Sequence, residues 1–254
     1  MYKNKKIICV IPARLASTRF PRKMLATLCD KPLLEWVWKA ATAVEFFDEV
    51  IFAVDAQETA DLINQFGGRS VMTSVDCACG TDRLVELALR NEYQADIWVN
   101  WQGDEPFIVP SMIMDLLSTC DDAQGAVWTL KKLITKSEEI SAPNIAKVVS
   151  DNQGNALYFS RSPIPFFRDE RDPEVLLNKK MYYKHVGLYA FTTQALGKIA
   201  TMGYTALEDA EKLEMLRWLG HNLNVRVHET EYEVFGIDTP RDLEMATKRI
   251  QASI

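Results

Sequence analysis

Three groups of residues in this chain of 254 residues are of types, and at spacings, that could do chemistry. The first is a cationic loop: Arg14, Arg19, Arg22 and Lys23 stand among Pro12, Ala13, Ala16, Ser17 and Thr18, directly after the apolar run 7–11. A basic loop at the carboxyl end of a buried strand is where an open parallel sheet receives an anionic ligand; a solvated loop that is basic by chance is the plain alternative. The second group is Asp104, in the turn Gln102-Gly103-Asp104-Glu105-Pro106, and Asp238, just ahead of a helix start. A carboxylate at a strand end, with glycine beside it to let the chain turn, suits Mg²⁺, which takes one or two carboxylates and fills its other positions with water and phosphate oxygens. The competing reading is an ordinary turn aspartate for Asp104 and a helix-start aspartate for Asp238. Glu105 is an additional carboxylate, though the following Pro106 points to a turn role. The third group is His185 and Tyr189, four apart in an alternating run and therefore on one face of a strand.

The elements that must position these groups are legible from the apolar pattern. Residues 7–11 read as a buried strand, and apolar residues Leu33, Leu34, Val37, Trp38 and Ala41 after Lys31-Pro32 have helical spacing with proline near the first turn. Residues 49–54 form a second strand ending at Asp55, 58–66 a helix closed by Gly67-Gly68, and 70–73 a third strand. Gly80-Thr81 opens a helix that Thr81 could cap, and residues 96–99 give a fourth strand leading into the Asp104 turn. Strand alternating with helix is the pattern of a parallel sheet covered by helices. Beyond it the chain is less regular: a helix over 109–117, a strand over 126–133, a hairpin over 146–150 and 156–159, and a strand over 182–191. A single helix is expected over 205–219, with Leu207, Ala210, Leu213 and Leu216 inward and Gly220 as its stop. The strand 225–228 precedes a last helix announced by Thr239, Pro240 and Asp242 as N-cap, N1 and N3. No linker, repeat or low-complexity tract interrupts the chain, which reads as one domain, 1–254, with halves 1–110 and 111–254.

Composition narrows the function. With 48% apolar and 25% charged residues the chain is ordinary globular material, and a net charge of −6 argues against nucleic acid as partner, because phosphate recognition leaves a basic footprint. The basic cluster is local and so reads a small anion. No apolar run approaches the ~18 residues of a membrane span, so a cytoplasmic protein without membrane contact is expected. The five cysteines are odd in number and lack CxxC spacing, and the three histidines lack ligand spacing, which disfavours both a disulfide framework and a zinc site. Neither G-x-x-x-x-G-K-[ST] nor G-x-G-x-x-G follows the first strand, so phosphates must be held by side-chain cations and the backbone of the 12–23 loop.

The ordered set IPARLASTRFPRKML, VMTSVDCACGTDRL, VNWQGDEPFI, KVVSDNQGNALYFSRSPIPF, KHVGLYAF, LEDAEKLEMLRWL and IDTPRDLE, spanning about residues 7–246, resembles the 3-deoxy-manno-octulosonate (Kdo) cytidylyltransferases of lipopolysaccharide biosynthesis. The resemblance implies an α/β, GT-A-like nucleotidyltransferase with a mostly parallel central sheet flanked by helices and a smaller β-rich region for the sugar and for homodimerisation. It implies an enzyme that joins CTP to a 2-keto-3-deoxy sugar acid with Mg²⁺ and releases pyrophosphate. Arg14, Lys23 and Asp104 are then the catalytic set. Pro12, Ala13, Arg14, Ser17 and Lys23, with Met72, Thr73, Ser74, Gly80, Thr81, Arg83 and Gln102, contact the nucleotide. Arg19, Gln102, Arg161, His185, Tyr189, Glu211 and Glu214 line the sugar side, and Asp104 and Asp238 are the metal pair. Three departures stand out: Arg22 and Met24 in a loop that usually reads Pro-Gly-Lys-Pro-Leu, Met215 where that helix usually carries glutamine, and a less polar Cys77–Cys79 segment. They point to transfer to a related acid, an amino-octulosonate or a nonulosonate, or to a weakened sugar-nucleotide-binding protein, as the alternatives.

Overall fold

The first strand, β1 (Ile7–Ala13), is buried along its whole length, as a strand covered on both faces must be. The computed structural model describes residues 2–17, 19–90, 92–122 and 127–252. It falls into two compact units, Met1–Ile113 with Val234–Ile254, and Met114–Glu233. The chain thus leaves the first unit, builds the second, and returns.

In the first unit β1 leads through a 3₁₀ turn (Lys23–Leu25) to the short hairpin β2 (Thr27–Leu28) and β3 (Lys31–Pro32). Then follow α1 (Leu33–Thr42), β4 (Glu49–Val54), α2 (Gln57–Gln65), β5 (Ser70–Met72), α3 (Gly80–Ala88), β6 (Ile97–Asn100) and α4 (Pro110–Leu116). The strand order is β6-β1-β4-β5 and every pair is parallel. Pro12 is tolerated in the central strand because pairing with β6 stops at Val10↔Asn100. Its missing N–H falls on the β6 side beyond that pair, where no ladder bond is lost. Two helix starts differ from expectation. Pro32 lies in β3 and precedes α1 rather than sitting in its first turn. Cys79, not Thr81, holds the N-cap of α3: Asp82 accepts from the Ala78 and Cys79 N–H groups at 2.9 and 3.3 Å, and Thr81 is buried inside the first turn.

The second unit is β-rich: β7 (Val127–Leu133), α5 (Ser137–Ser141), β8 (Lys147–Ser150), β9 (Ala156–Ser160), α6 (Pro173–Asn178), β10 (Tyr183–Thr192), α7 (Thr193–Ile199), α8 (Ala206–Glu211), α9 (Met215–Gly220) and β11 (Val225–Glu229). The expected start of β7, Ala126, lies outside the described residues. β7 pairs antiparallel with β10 and parallel with β11, while β8 and β9 form the expected hairpin. The short helices α5 and α6 were not foreseen, although Asp172 caps α6 by accepting from Glu174 N–H and Pro173 follows it.

The expected helix over 205–219 is two helices. Lys212 is left-handed (φ 52°, ψ 47°), and Arg161 donates to the Glu211 carbonyl at 2.7 Å and to the Lys212 carbonyl at 3.4 Å, taking acceptors a continuing helix would use. The expected apolar stripe is accordingly only half real, with Leu213 and Leu216 buried but Leu207 and Ala210 exposed. The returning segment ends in α10 (Pro240–Gln251), with the predicted Thr239 and Asp242 capping box. It closes the first unit because Ile237, Ala246 and Ile250 pack on Leu28 and Leu33.

Candidate active site

The site is assembled at the carboxyl ends of β1, β4 and β6. Gly103, just after β6, could not carry a side chain: a Cβ would lie 2.8 Å from the Pro12 carbonyl oxygen and 3.2 Å from Met24 Sδ. That close approach draws the Asp104 turn under the basic loop. The returning segment docks on the same turn through a hydrogen bond from Ile237 N–H to the Asp104 carbonyl at 2.9 Å, which sets Asp238 beside it.

Lys23 joins the two carboxylates. Its side chain is buried, and Nζ donates to Asp104 Oδ2 at 2.5 Å and Asp238 Oδ1 at 3.0 Å. Arg19, largely exposed, adds a second cation on Asp238 Oδ1 at 3.0 Å. A buried lysine is tolerable only when paired, and here both partners are carboxylates. Next to this trio the Glu105 carboxyl carries an oxygen, Oε2, that is buried without a hydrogen-bond partner. Burial, reinforced by the Asp104 and Asp238 charges, pushes its pKa up to about 8, so the group is largely protonated at neutral pH.

The loop after β1 forms one wall of an open cleft of about 630 Å³ lined by Arg14, Leu15, Ala16, Ser17, Pro21, Arg22, Asp55, Ala56 and Val75. Arg14 is exposed there and Ser17 half-buried. Asp55, at the end of β4, organises this wall: Oδ1 accepts from Leu15 N–H at 2.9 Å, and Oδ2 accepts from Arg83 at 2.8 Å. In the sequence Asp55 shows only as the end of the 49–54 strand. The signal that could have found it is the one used for Asp104, a carboxylate directly after an apolar strand. Arg83 is itself buried and also donates to Thr73 Oγ1 at 2.6 Å and to the Ser74 carbonyl at 3.1 Å, so its guanidinium locks the 73–83 segment together. Thr73 is buried and its hydroxyl donates to the Val54 carbonyl at 3.0 Å. Ser74 N–H donates to Glu86, and Met72 is partly exposed. A Cβ at Gly80 would lie 3.1 Å from Pro12, 3.3 Å from Gln102 Nε2 and 3.4 Å from Asn100 Oδ1, and Gln102 donates to that same Asn100 oxygen at 3.1 Å. Pro12, Gly80 and Gln102 are therefore immediate neighbours, and buried Ala13 continues the strand beside them.

Arg22 is the loop's conformational exception. It is left-handed (φ 57°, ψ 30°), a region that favours glycine, and its guanidinium turns to an exposed ion pair with Glu58 rather than to Lys23. The backbone shape glycine would give is thus kept by an arginine.

In the second unit His185 and Tyr189 do share a face. A bulge sets Val186 opposite Leu130 and Tyr189 opposite Thr129, so the partners of His185 and Tyr189 remain two residues apart and the rings meet at 5.4 Å. His185 Nε2 meets Thr129 Oγ1 at 2.9 Å, and desolvation lowers its pKa to about 3, leaving the ring neutral. The Glu211 carboxylate accepts from Ser160 Oγ at 2.6 Å and Arg161 N–H at 2.8 Å. The Arg161 side chain donates to three backbone carbonyls, those of Glu211, Lys212 and Pro143. Glu214 precedes α9 at its N-cap, and Met215 is buried rather than presented to a ligand. All five cysteines are free thiols.

The parallel sheet, the basic cleft and the paired aspartates define a nucleotidyltransferase. The chain belongs to the cytidylyltransferase family, whose sequence profile matches residues 8–228. It is 44% identical over 250 residues to the 3-deoxy-manno-octulosonate cytidylyltransferase of Geobacter metallireducens, spanning 96% of this chain and 98% of that protein. It is 45% identical over 251 residues to the protein of that name from Pelobacter propionicus, spanning 97% and 98%. A solved structure of CMP:2-keto-3-deoxy-manno-octonic acid synthetase complexed with CTP superposes with a TM-score of 0.90 at 37% identity, over 98% of this chain and 100% of that one. The fold is also that of a 4-diphosphocytidyl-2C-methyl-D-erythritol synthase from Anaerococcus prevotii, at a TM-score of 0.62 and 12% identity, over 97% and 99% of the two chains.

Proposed function

We propose that this enzyme transfers the cytidylyl group of CTP to 3-deoxy-manno-octulosonate, giving CMP-Kdo and pyrophosphate for lipopolysaccharide biosynthesis. The observation that carries the reading is the convergence of Asp104 and Asp238, from the two separate segments of the first unit, on one buried cation, Lys23, in the loop that also lines the Arg14 cleft. The donors suit Mg²⁺: two hard carboxylate oxygens converge on the Lys23 ammonium, with Arg19 as a further cation on Asp238. An ion held by these two carboxylates would take its remaining ligands from water and substrate phosphates. Bound there, Mg²⁺ supplies positive charge to the phosphate oxygens.

The chain's own residues do the rest. The sugar's anomeric hydroxyl attacks the α-phosphorus in line with the departing pyrophosphate, and negative charge gathers on the phosphoryl oxygens. Arg14, Ser17 and Lys23, with the backbone at Pro12 and Ala13, hold the triphosphate and offset that charge, so catalysis is positioning plus electrostatic stabilisation without a covalent intermediate. Met72, Thr73, Ser74, Gly80, Thr81 and Gln102 shape the cytidine side. Arg83 serves that side through Thr73 and Ser74, whose positions it fixes. For the sugar acid the proposal assigns Arg19 and Gln102 in the first unit and His185, Tyr189, Glu211 and Glu214 in the second, where Arg161 shapes the α8–α9 break. The proposal includes a cytoplasmic homodimer. No helix among the described residues is long and apolar enough to cross a membrane, and Leu157, Phe166 and Met181 are exposed apolar side chains that a second copy could cover.

The test is incubation with CTP, Mg²⁺ and a panel of 2-keto-3-deoxy sugar acids while pyrophosphate is followed. Release with 3-deoxy-manno-octulosonate is expected. Release with only an amino-substituted octulosonate or a nonulosonate would reassign the acid. Silence with every acid while CTP binds would leave a sugar-nucleotide-binding protein.

A further inference from the structure

We propose that the Lys23 ammonium occupies the divalent-cation position while nucleotide is absent, so that metal entry displaces Lys23 from Asp104 and Asp238 and frees it for the triphosphate. The inference rests on the functional reading above and adds an exchange of partners within the site. Its basis is the geometry of the trio. Nζ lies 2.5 Å from Asp104 Oδ2 and 3.0 Å from Asp238 Oδ1, so one cation already bridges both carboxylates. A divalent ion held by the same two carboxylates would need the space the ammonium fills.

Charge balance makes the exchange reciprocal. The two carboxylates face Lys23 and, on Asp238 Oδ1, the exposed Arg19. Placing two further positive charges between them removes the attraction that holds the ammonium. A lysine side chain that is 6% exposed cannot give up its counter-charge cheaply. Its next anionic partner must be the ligand. Metal and triphosphate then bind with positive coupling through Lys23, because each completes the exchange the other begins. Without nucleotide the lysine competes with the metal, and the empty enzyme binds the ion weakly.

The measurement is Mn²⁺ binding without nucleotide, read from the electron paramagnetic resonance of free Mn²⁺, for the wild type, Lys23→Met and Lys23→Arg. Removing the competing charge should tighten Mn²⁺ binding by about 10-fold in Lys23→Met, within the usual range of coupling between sites, while Lys23→Arg should stay near wild type. Unchanged or weaker binding by Lys23→Met overturns the exchange. A second readout needs no variant: the acetylation rate of the Lys23 amine in the wild type, followed by mass spectrometry, should rise several-fold when Mn²⁺ saturates the site, and an unchanged rate also overturns it. Wild-type protein that takes up no Mn²⁺ even with CTP present overturns the metal-pair reading itself. Normal uptake with CTP, without tightening in Lys23→Met, overturns only the exchange.

Discussion

Lys23 in the first unit and Lys147 in the second are both buried ammonium groups, but they rest on different kinds of partner. Lys23 lies on two carboxylates, which a metal ion can take over. Lys147 donates to the backbone carbonyls of Ala142, Ile145 and Arg161 at 2.9, 2.7 and 2.5 Å, and desolvation lowers its pKa. Those carbonyls cannot be given to a ligand without undoing the loop they belong to. Arg19 and Arg161 repeat the contrast, one on an exposed carboxylate and the other on three carbonyls. Lys23 and Arg19 are therefore held in exchangeable pairs with carboxylates, whereas Lys147 and Arg161 use their charge to fix backbone.

The largest expected effect tests the first half of this contrast. Asp104→Asn removes one of the two charges that face the cation, and turnover measured by pyrophosphate release should fall on the order of 10³-fold, the scale of losing a preorganised electrostatic contact. A near-normal rate at limiting Mg²⁺ would show that Asp104 is an ordinary turn residue. The second half is tested by Arg161→Ala. It strands the part-buried Glu211 carbonyl, while those of Pro143 and Lys212 are open to water, and should cost about 1–2 kcal/mol of stability in thermal or urea unfolding, leaving KM for CTP unchanged. A higher KM for the sugar acid with an unchanged Tm would instead return Arg161 to direct substrate contact.

His185 gives the contrast a pH dependence. Its folded pKa is lowered from 6.5 to about 3, so between those values the unfolded chain binds the proton that the folded one refuses. Stability is present above about pH 6.5 and is lost as the pH falls toward 3. By pH 5 the loss from this group should be about 2 kcal/mol, and His185→Gln, which does not titrate, should flatten that part of the profile. An equal slope in the two proteins would mean that the ring is wetter than its packing against Phe159 and Tyr189 implies.

How much of this was readable in the sequence follows the same division. The parallel layer, the basic loop, Asp104, Asp238 and the last capping box were legible because each is local: an apolar run, a turn signal or a cap. The meeting of Lys23 with Asp238 was not, since it depends on the chain returning to the first unit and packing Ile237 and Ala246 on Leu28 and Leu33. The break at Lys212 was hidden for a like reason. Helical periodicity continues through 205–219, and only the distant Arg161, donating to the Glu211 and Lys212 carbonyls, shows that the helix stops. The sequence also says that Arg14 and Arg83 are cations, but not that Arg83 is held by Asp55 while Arg14 lines an open cleft.

Arg22 is the smallest and sharpest test, because here exposed charge and backbone shape can be separated. A non-glycine residue at φ 57° is strained by roughly 1 kcal/mol or more, since its Cβ crowds the following carbonyl. Glycine removes that strain but gives the unfolded chain more freedom, which offsets about 0.5–1 kcal/mol. The lost ion pair with Glu58 is exposed and is worth at most about 1 kcal/mol. Arg22→Gly should therefore leave stability within about 1 kcal/mol of wild type and leave KM for CTP unaltered, because the backbone already has the shape glycine would give and the guanidinium points to Glu58. A KM that rises several-fold would put the Arg22 charge on the triphosphate and make it a member of the exchangeable set. A stability loss well above 1 kcal/mol with an unchanged KM would make it, like Arg161, a residue that fixes backbone.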